Sequence, residues 1–231
     1  MKGSEIVAKN KKMFVYIFLI VSVLLWAAVS DAWGYSEHLP TSLPNNWNWY
    51  VYGYISRLVW AMPFAFLIAR DKHKGVVPPK EVFGFHFHWK SFLTVLALST
   101  IYVLCGMLFI HGSLWINSDF VFLQELSRFL VVGFVEELVY RGYGLNMLSY
   151  FSSRKTANIV SSLFFAAVHI PAYFIHWYCD GMFLLTEMIT QVVSVFILGL
   201  IFGMVFIKSK SIWPSTIIHF WYDFSFGLFI G

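Results

Sequence analysis

The sequence predicts an all-α polytopic membrane protein, a bundle of about seven transmembrane helices with a cytoplasmic N-terminus. Hydrophobic residues make up 59% of the 231 residues and charged residues 12%, whereas soluble domains carry roughly 45–50% and 25%. A soluble protein of this size has too much surface for its volume to bury so many apolar side chains. Long apolar stretches also recur along the chain, and Lys and Arg are distributed between them in a regular pattern.

The same composition excludes several other classes of protein. A disordered chain is excluded because disorder requires low hydrophobicity. The net charge of +4 does not indicate nucleic-acid binding, since Lys and Arg in membrane proteins report orientation. Only Cys105 and Cys179 are present, so neither a disulfide framework nor a cysteine-based metal cluster is expected.

Seven stretches are apolar over the length of about 20 residues that a helix needs to cross a bilayer. They cover residues 13–33, 47–69, 91–111, 120–149, 156–177, 183–207 and 211–230. Thirteen of the 16 Lys and Arg residues precede the first span or lie in the loops after spans two, four and six. By the positive-inside rule these segments are cytoplasmic, which puts the C-terminus outside. We expect a multi-pass protein of the plasma membrane, bacterial because the chain is short and lacks eukaryotic-type extensions.

Ionisable side chains within the spans cost about 2.5–3.5 kcal/mol each on insertion scales, so each needs a physical reason. Glu137 and Arg141 are four residues apart with the acid first, which is the favourable order for a helical ion pair. Glu125 and Arg128 are three apart and are also expected to pair. The sequence suggests no partner for Arg57.

Glu136 differs from these pairs. It is rotated by about 140° from Arg141 around an α-helix, so Arg141 is poorly placed to neutralise it. At 1.5 Å per residue, Glu136, His169, His219 and Asp223 lie in one broad layer, about 12–21 Å above the cytoplasmic helix ends. Four such groups at a common depth favour a functional site over isolated structural contacts.

Two further patterns lie in the sixth span. Glu187, Gln191 and Ser194 form a polar stripe that we expect to face the bundle. Gly199 and Gly203 form a small-xxx-small pair, which allows close packing of helices within the chain.

The layer contains the groups that peptide hydrolysis requires. The reaction needs an activated water, a donor to the oxyanion and a proton for the leaving amine, and one carboxylate with two imidazoles supplies all three. Glu136, His169 and His219 are also a plausible two-histidine, one-carboxylate zinc site, although no HExxH motif is present. Both mechanisms remain open, with no cofactor slightly favoured over one zinc ion.

Three motifs in order resemble those of a known family. Residues 136–141 read EELVYR and are similar to an EExxxR motif, residues 165–169 fit FxxxH, and residues 219–223 fit HxxxN or HxxxD. Together they resemble the CPBP family, which comprises CAAX prenyl endopeptidases and bacteriocin-processing intramembrane proteases, also called Abi proteins. The resemblance covers about residues 120–225.

The resemblance implies roles for individual residues. Glu136 would be the general base that activates a water, assisted by His169, and His219 with Asp223 would stabilise the oxyanion. The third motif ends in Asp here, where the prenyl endopeptidases have Asn. An ionised Asp223 cannot donate a hydrogen bond, so it is protonated, orients His219 or ligates a metal.

The resemblance also implies an organisation in two parts. Residues 1–119 would form N-terminal transmembrane helices and a cytoplasmic loop, and residues 120–231 the catalytic helix bundle. Within that bundle Glu137 and Arg141 would hold the site together.

The expected function is that of an intramembrane endopeptidase, a hydrolase acting on a membrane-embedded or lipidated peptide or protein. The lipid bilayer is the expected environment, nucleic acid is not an expected partner, and no oligomeric state is indicated. One alternative is a non-enzymatic binding or bacteriocin-immunity protein on the same scaffold. Another is a proton-coupled transporter, although transporters usually have longer chains with inverted repeats.

The substrate is expected to approach from the cytoplasm. Water cannot reach the layer through lipid, so a polar cavity must open to one face of the membrane. The cytoplasmic cations attract anionic headgroups and acidic segments of a substrate, and prenylated substrates of the resembled family approach from the cytosol. These arguments predict a cavity that opens toward the cytoplasm and the inner leaflet.

Overall fold

The computed structural model describes residues 13–23, 25–26, 55–70 and 75–230, and the regular elements within these residues are all helical. In chain order they are α1 Met13–Val23, α2 Ser56–Arg70, α3 Pro79–Val82, α4 Trp89–His111, α5 Phe122–Glu137, a π-helical segment Leu138–Leu145, α6 Asn146–Phe151, α7 Arg154–Ala167, α8 Ile170–Asp180, α9 Leu185–Ser209 and α10 Trp213–Phe229. The predicted all-α membrane bundle is confirmed. Parts of the first two predicted spans, residues 24, 27–33 and 47–54, lie outside the described residues.

Three described helical stretches are long and apolar enough to cross a membrane. They are Trp89–His111, Arg154–Cys179 and Leu185–Ser209, with mean hydropathies of 2.3, 1.6 and 2.4. They coincide with the predicted third, fifth and sixth spans. Their outer faces carry exposed apolar side chains such as Phe109, which is 91% exposed. Such an apolar surface is suited to contact with lipid. The total of seven spans stays a prediction.

One end of the bundle is marked by cations, and we call it the cationic end. It is defined by Arg70, Lys90, Arg154, Lys155, Lys208 and Lys210, which lie at the termini of α2, α4, α7 and α9. Because α2 and α9 end at the cationic end while α4 and α7 begin there, the starts of α2 and α9 lie at the opposite end of the bundle, together with the ends of α4 and α10. If the positive-inside rule holds, the cationic end is cytoplasmic.

Residues 75–88 close the cationic end. Val77, Val82 and Ile212 have no exposed surface, and the Ile212 N–H donates to the Val82 carbonyl at 3.0 Å. The Asn146 side chain accepts from the Val77 N–H and donates to the Val77 carbonyl, both at 2.8 Å. This segment is therefore packed into the bundle end by apolar burial and satisfied backbone groups.

The fourth predicted span is not a uniform α-helix. It continues from α5 into the π-helical segment Leu138–Leu145 and then into α6. A π-helix bonds i to i+5, and short stretches of this kind are frequent at functional sites. The Ser161 hydroxyl donates to the carbonyl of Tyr140 within the segment. Gly142 allows close approach there, since a Cβ would lie 3.2 Å from Ile68 Cδ1.

The fifth predicted span bends at His169. α7 ends at Ala167 and α8 begins at Ile170. Pro171 lies in the first turn of α8, where its missing N–H breaks the helical hydrogen-bond ladder. The N–H of His169 bonds to the carbonyl of Ala166 at 3.2 Å, a tighter turn than an α-helix. His169 therefore lies at a bend between two helices and not inside one.

The glycine pair of α9 packs against α7, as predicted. A Cβ on Gly203 would clash with Asn158 Oδ1, and one on Gly199 would lie 3.0 Å from Ser162 Cβ. Small residues let the two helices approach closely, which is how helices associate in a bilayer without a hydrophobic driving force.

We expect Gly203→Val to lower the free energy of unfolding by about 1–3 kcal/mol, the usual cost of overpacking. The clash is with the end of the Asn158 side chain, so the double variant with Asn158→Ala should recover part of the loss. Thermal unfolding in detergent measures both. Val193→Leu is the matched control, because Val193 lies on the same helix and is 50% exposed. Equal melting temperatures for wild type and Gly203→Val would contradict the packing described.

Candidate active site

The four residues predicted to be catalytic come together in one cavity. Glu136 lies near the end of α5, His169 at the bend between α7 and α8, and His219 and Asp223 on α10. All four line a cavity of about 820 Å³. Their arrangement in one layer, predicted from helix rise, therefore corresponds to a shared space.

His219 is the centre of the polar contacts. Its Nδ1 donates to Glu137 Oε1 at 3.2 Å. Its Nε2 lies 3.6 Å from Glu136 Oε2 and 3.5 Å from Asp223 Oδ2. The residue is only 4% exposed. One ring nitrogen is thus held by Glu137, while the other faces the cavity between two carboxylates.

Two aromatic rings fix the plane of the His219 imidazole. The Phe202 ring lies 4.9 Å from it at an interplanar angle of 32°, and the Phe165 ring contacts it edge-on at 5.7 Å. Such packing restricts rotation of the ring, so Nε2 keeps its direction toward Glu136 and Asp223.

The predicted pair of Glu137 and Arg141 is present and is completely enclosed. Arg141 Nη1 lies 2.8 Å from Glu137 Oε1, and the side chains are 1% and 0% exposed. Arg141 also donates from Nη2 to the carbonyl of Gly199 at 3.1 Å, and its guanidinium lies 4.3 Å from the centre of the Phe165 ring. Glu137 on α5 is therefore connected to α10 through His219 and to α9 through Arg141.

Glu136 has a partner that the sequence did not reveal. Its Oε1 lies 3.6 Å from Nη1 of Arg57, near the start of α2. The two side chains are 17% and 40% exposed. Because this ion pair is long and partly open, Glu136 stays accessible from the cavity. Arg57, for which the sequence gave no explanation, is the cation that faces it.

His169 is oriented by its own helix. Its Nδ1 lies 3.0 Å from the Phe165 carbonyl, and since a carbonyl only accepts, Nδ1 carries the proton. In a neutral ring Nε2 is then an acceptor. His169 and Glu136 line both the large cavity and an adjoining one of about 200 Å³, so both side chains border the same space.

The set of Glu136, His169 and His219 does not fit the three-ligand zinc site that was considered from the sequence. Within the described part of the chain, no three His, Cys, Asp or Glu side chains are grouped so that they could hold a metal ion.

The polar stripe of α9 forms one wall of the large cavity. Glu187, Gln191 and Ser194 all line it, so the prediction that the stripe faces the bundle is confirmed. Gln191 also lines the smaller cavity together with Arg57. The stripe thus belongs to the same space as the predicted catalytic residues.

The predicted opening of this cavity toward the cytoplasm stays a prediction, and the structure shows where the cavity lies along the helices. The cavity is lined by α9 from Thr186 to Phe202 and by α10 from His219 to Gly227. Thr186 and Gly227 lie at the end of the bundle opposite the cationic end. The cationic end itself is closed by residues 75–88, where Val77 and Val82 are fully buried. The cations of the loops indicate which end of the bundle faces the cytoplasm. They do not indicate at which end the cavity opens.

The chain matches one protein family. Residues 117–225, slightly less than half of the chain, match the family model described as Type II CAAX prenyl endopeptidase Rce1-like. No curated protein and no solved structure matches the chain. The predicted resemblance to the CAAX protease family is confirmed by this match. The matched region includes all three sequence motifs, and Arg57 lies outside it.

Proposed function

We propose that this chain is an intramembrane endopeptidase. The premise is that residues 117–225 belong to the Rce1-like family of type II CAAX prenyl endopeptidases. The chain would hydrolyse a peptide bond of a membrane-embedded or lipidated peptide or protein. The family match supports a CAAX-type intramembrane protease as the kind of function. The observation that carries the specific mechanism is that Glu136, His169, His219 and Asp223 share one cavity among apolar helices.

In the proposed reaction Glu136 and His169 activate a water molecule. The Glu136 carboxylate accepts one proton from the water, and the water oxygen attacks the carbonyl carbon of the scissile peptide. His169 Nε2 holds the water as a hydrogen-bond acceptor. The C–N bond then breaks, and the proton held by Glu136 passes to the leaving amine. General acid–base catalysis of this kind contributes about 10²–10⁴-fold.

His219 is the proposed donor to the oxyanion. Its Nδ1 is bonded to Glu137 at 3.2 Å, which leaves Nε2 directed at the cavity. A protonated Nε2 would donate to the negative oxygen that forms when water adds to the carbonyl. Held in place by Glu137 and the rings of Phe165 and Phe202, it needs little reorganisation during the reaction.

Asp223 is proposed to orient His219 and not to bind the oxyanion itself. Asp223 Oδ2 lies 3.5 Å from His219 Nε2, and an ionised carboxylate has no proton to donate. A carboxylate at this distance attracts a hydrogen on Nε2 and so orients the imidazole ring. Protonation, orientation of His219 and metal binding were the three roles that the sequence left open for Asp223. The proposal selects orientation of His219.

The proposal is tested with purified protein in bilayer discs, incubated with peptides extracted from the membranes of its host. Mass spectrometry should detect new C-termini that increase with time and enzyme concentration. Binding of a membrane peptide without any cleavage would instead support the non-enzymatic binding or immunity protein. Net proton movement driven by a solute gradient in sealed vesicles would support the transporter.

Metal content separates the two mechanisms. We expect active protein to contain less than stoichiometric zinc and to keep its turnover after treatment with a chelator, because Glu136 and His169 suffice to activate the water. Elemental analysis of the same preparation that is assayed provides the measurement. Zinc near one ion per chain, whose removal stops cleavage and whose return restores it, would replace the metal-free mechanism with a metallopeptidase.

A further inference from the structure

The small cavity of about 200 Å³ adjoins the large one at the two residues that are proposed to activate water. Glu136 and His169 line both spaces, and Arg57 and Gln191 do so as well. Other residues on the wall of the small cavity, among them Trp60 on α2 and Tyr140 in the π-helical segment, do not line the large cavity. The small cavity is therefore a separate space that meets the large one at Glu136 and His169.

Two buried polar atoms belong to residues of this wall. Trp60 Nε1 and the Tyr140 hydroxyl have no hydrogen-bond partner among the residues that the structure describes. Tyr140 is only 1% exposed. Buried polar groups in folded proteins nearly always bond to protein or to ordered water. Since both residues line the small cavity, we expect their partner to lie in that cavity.

The chemistry of the wall identifies the partner as water. Trp60 and Arg57 can only donate hydrogen bonds, whereas the Glu136 carboxylate and the Nε2 of a neutral His169 accept them. An apolar side chain of a substrate would leave Trp60 and Tyr140 unpaired, and a second carboxylate would lie against Glu136. Water both donates and accepts. At about 30 Å³ per molecule, several water molecules fit into the small cavity.

We infer that the small cavity is the water site of the enzyme, in which Trp60 and Tyr140 position the water that attacks the peptide. The inference rests on the proposed function, with the peptide in the large cavity. The attacking water gives one proton to Glu136, and its oxygen forms the new bond to the peptide carbonyl carbon. A second water from the small cavity then takes its place. Because lipid does not supply water to an apolar bundle, such a store lets each turnover proceed.

Removing either donor tests the part that this water plays in turnover. Trp60→Phe and Tyr140→Phe keep an aromatic ring but lose the N–H or the O–H group. Each should lower kcat by about 2–10-fold, the effect of one hydrogen bond. KM should not change, because neither residue lines the large cavity. A raised KM with unchanged kcat would show that the small cavity holds part of the peptide, and would overturn the inference.

Tyr178→Phe is the matched control for these variants. Tyr178 is 90% exposed and lies outside the lining of the described cavities, so the loss of its hydroxyl should leave kcat at the wild-type value. Wild-type kcat in both Trp60→Phe and Tyr140→Phe would also overturn the inference.

Radiolytic footprinting of the wild type shows directly whether the small cavity holds water. A short X-ray pulse converts water into hydroxyl radicals that oxidise the side chains in contact with it, and mass spectrometry locates the oxidation. Trp60 and Tyr140 should be oxidised although their polar atoms are buried. Tyr143 is the control, because it is 3% exposed in the same π-helical segment and does not line the described cavities. Oxidation of Tyr140 no faster than that of Tyr143 would indicate a dry cavity and overturn the inference.

Filling the small cavity connects the water to turnover. Ala172 lines the small cavity but not the large one, so Ala172→Leu reduces the space for water without narrowing the peptide site. The variant should lower the oxidation of Trp60 and Tyr140 and lower kcat, with KM unchanged. Lower oxidation with wild-type kcat would contradict the role given to this water.

The footprint needs no substrate, so the inference and the proposed function fail separately. If the wild type cleaves no peptide, the proposed function fails, and oxidation of Trp60 and Tyr140 still decides whether the cavity holds water. If the wild type cleaves peptides while Tyr140 is as protected as Tyr143, the peptidase stands and the water site is wrong.

Discussion

Glu136→Gln is expected to lower kcat by about 10²–10⁴-fold, the contribution typical of a general base. Glutamine has the same size and keeps hydrogen-bonding groups, but it does not accept the proton of the attacking water. The free energy of unfolding should change little, because Glu136 is partly exposed and its ion pair with Arg57 is long at 3.6 Å. Turnover and thermal unfolding are measured on the same purified variant.

His169→Ala should give a loss of the same order, since His169 is proposed to hold the same water. Glu81→Gln is the matched control, because Glu81 lies on α3 at the closed end of the bundle and outside the lining of the described cavities. It should retain wild-type turnover. Full activity of purified Glu136→Gln would remove Glu136 from the mechanism and leave the proposed chemistry without its base.

Glu137→Gln is expected to lower the free energy of unfolding by about 3–5 kcal/mol, the cost of leaving a buried charge without its partner. Arg141 is 1% exposed and lies 2.8 Å from Glu137. Glutamine would leave its guanidinium uncompensated, and would also weaken the bond that holds His219. Chemical unfolding in detergent measures the loss, and low expression should accompany it.

The double variant Glu137→Gln with Arg141→Met is the control for that interpretation. Removing both charges should be less destabilising than removing one, although Arg141 also donates to the carbonyl of Gly199. If Glu137→Gln were normally stable but had lost its turnover, Glu137 would have to be moved from the structural pair into the catalytic set.

The site was predictable from the sequence because a bilayer makes ionisable side chains costly. Few such residues remain inside the spans, so their spacing is informative. The i, i+4 spacing of Glu137 and Arg141 predicted their pair, and helix rise placed His169 at the depth of Glu136 and His219 in the same broad layer. These arguments need only the geometry of single helices, which the periodicity of the sequence specifies.

Contacts between distant helices could not be predicted in the same way. The pairing of Arg57 with Glu136 joins α2 to α5, and the bond from His219 to Glu137 joins α10 to α5. No spacing in the sequence specifies which helix faces which. The one available signal was that Arg57 is a cation within an apolar stretch without a local partner, which indicates a partner elsewhere.

Local departures from the α-helix were also missed. Pro171 signalled the bend that places His169 between α7 and α8, but the apolar run continues through it. The sequence of the π-helical segment Leu138–Leu145 contains no comparable signal of a departure from the α-helix, apart from the glycines Gly142 and Gly144. The packing of residues 75–88 onto the cationic end was also not predicted, because it is a tertiary contact that does not follow from loop charge.

Peptide termini in host membranes test the central claim most directly. Membranes of cells that produce wild type, Glu136→Gln or Glu81→Gln in place of the native protein are compared by mass spectrometry of C-terminal peptides. The account predicts a set of new C-termini with wild type and Glu81→Gln that is absent with Glu136→Gln, whose uncleaved precursors accumulate. The same termini at the same abundance with Glu136→Gln would contradict it.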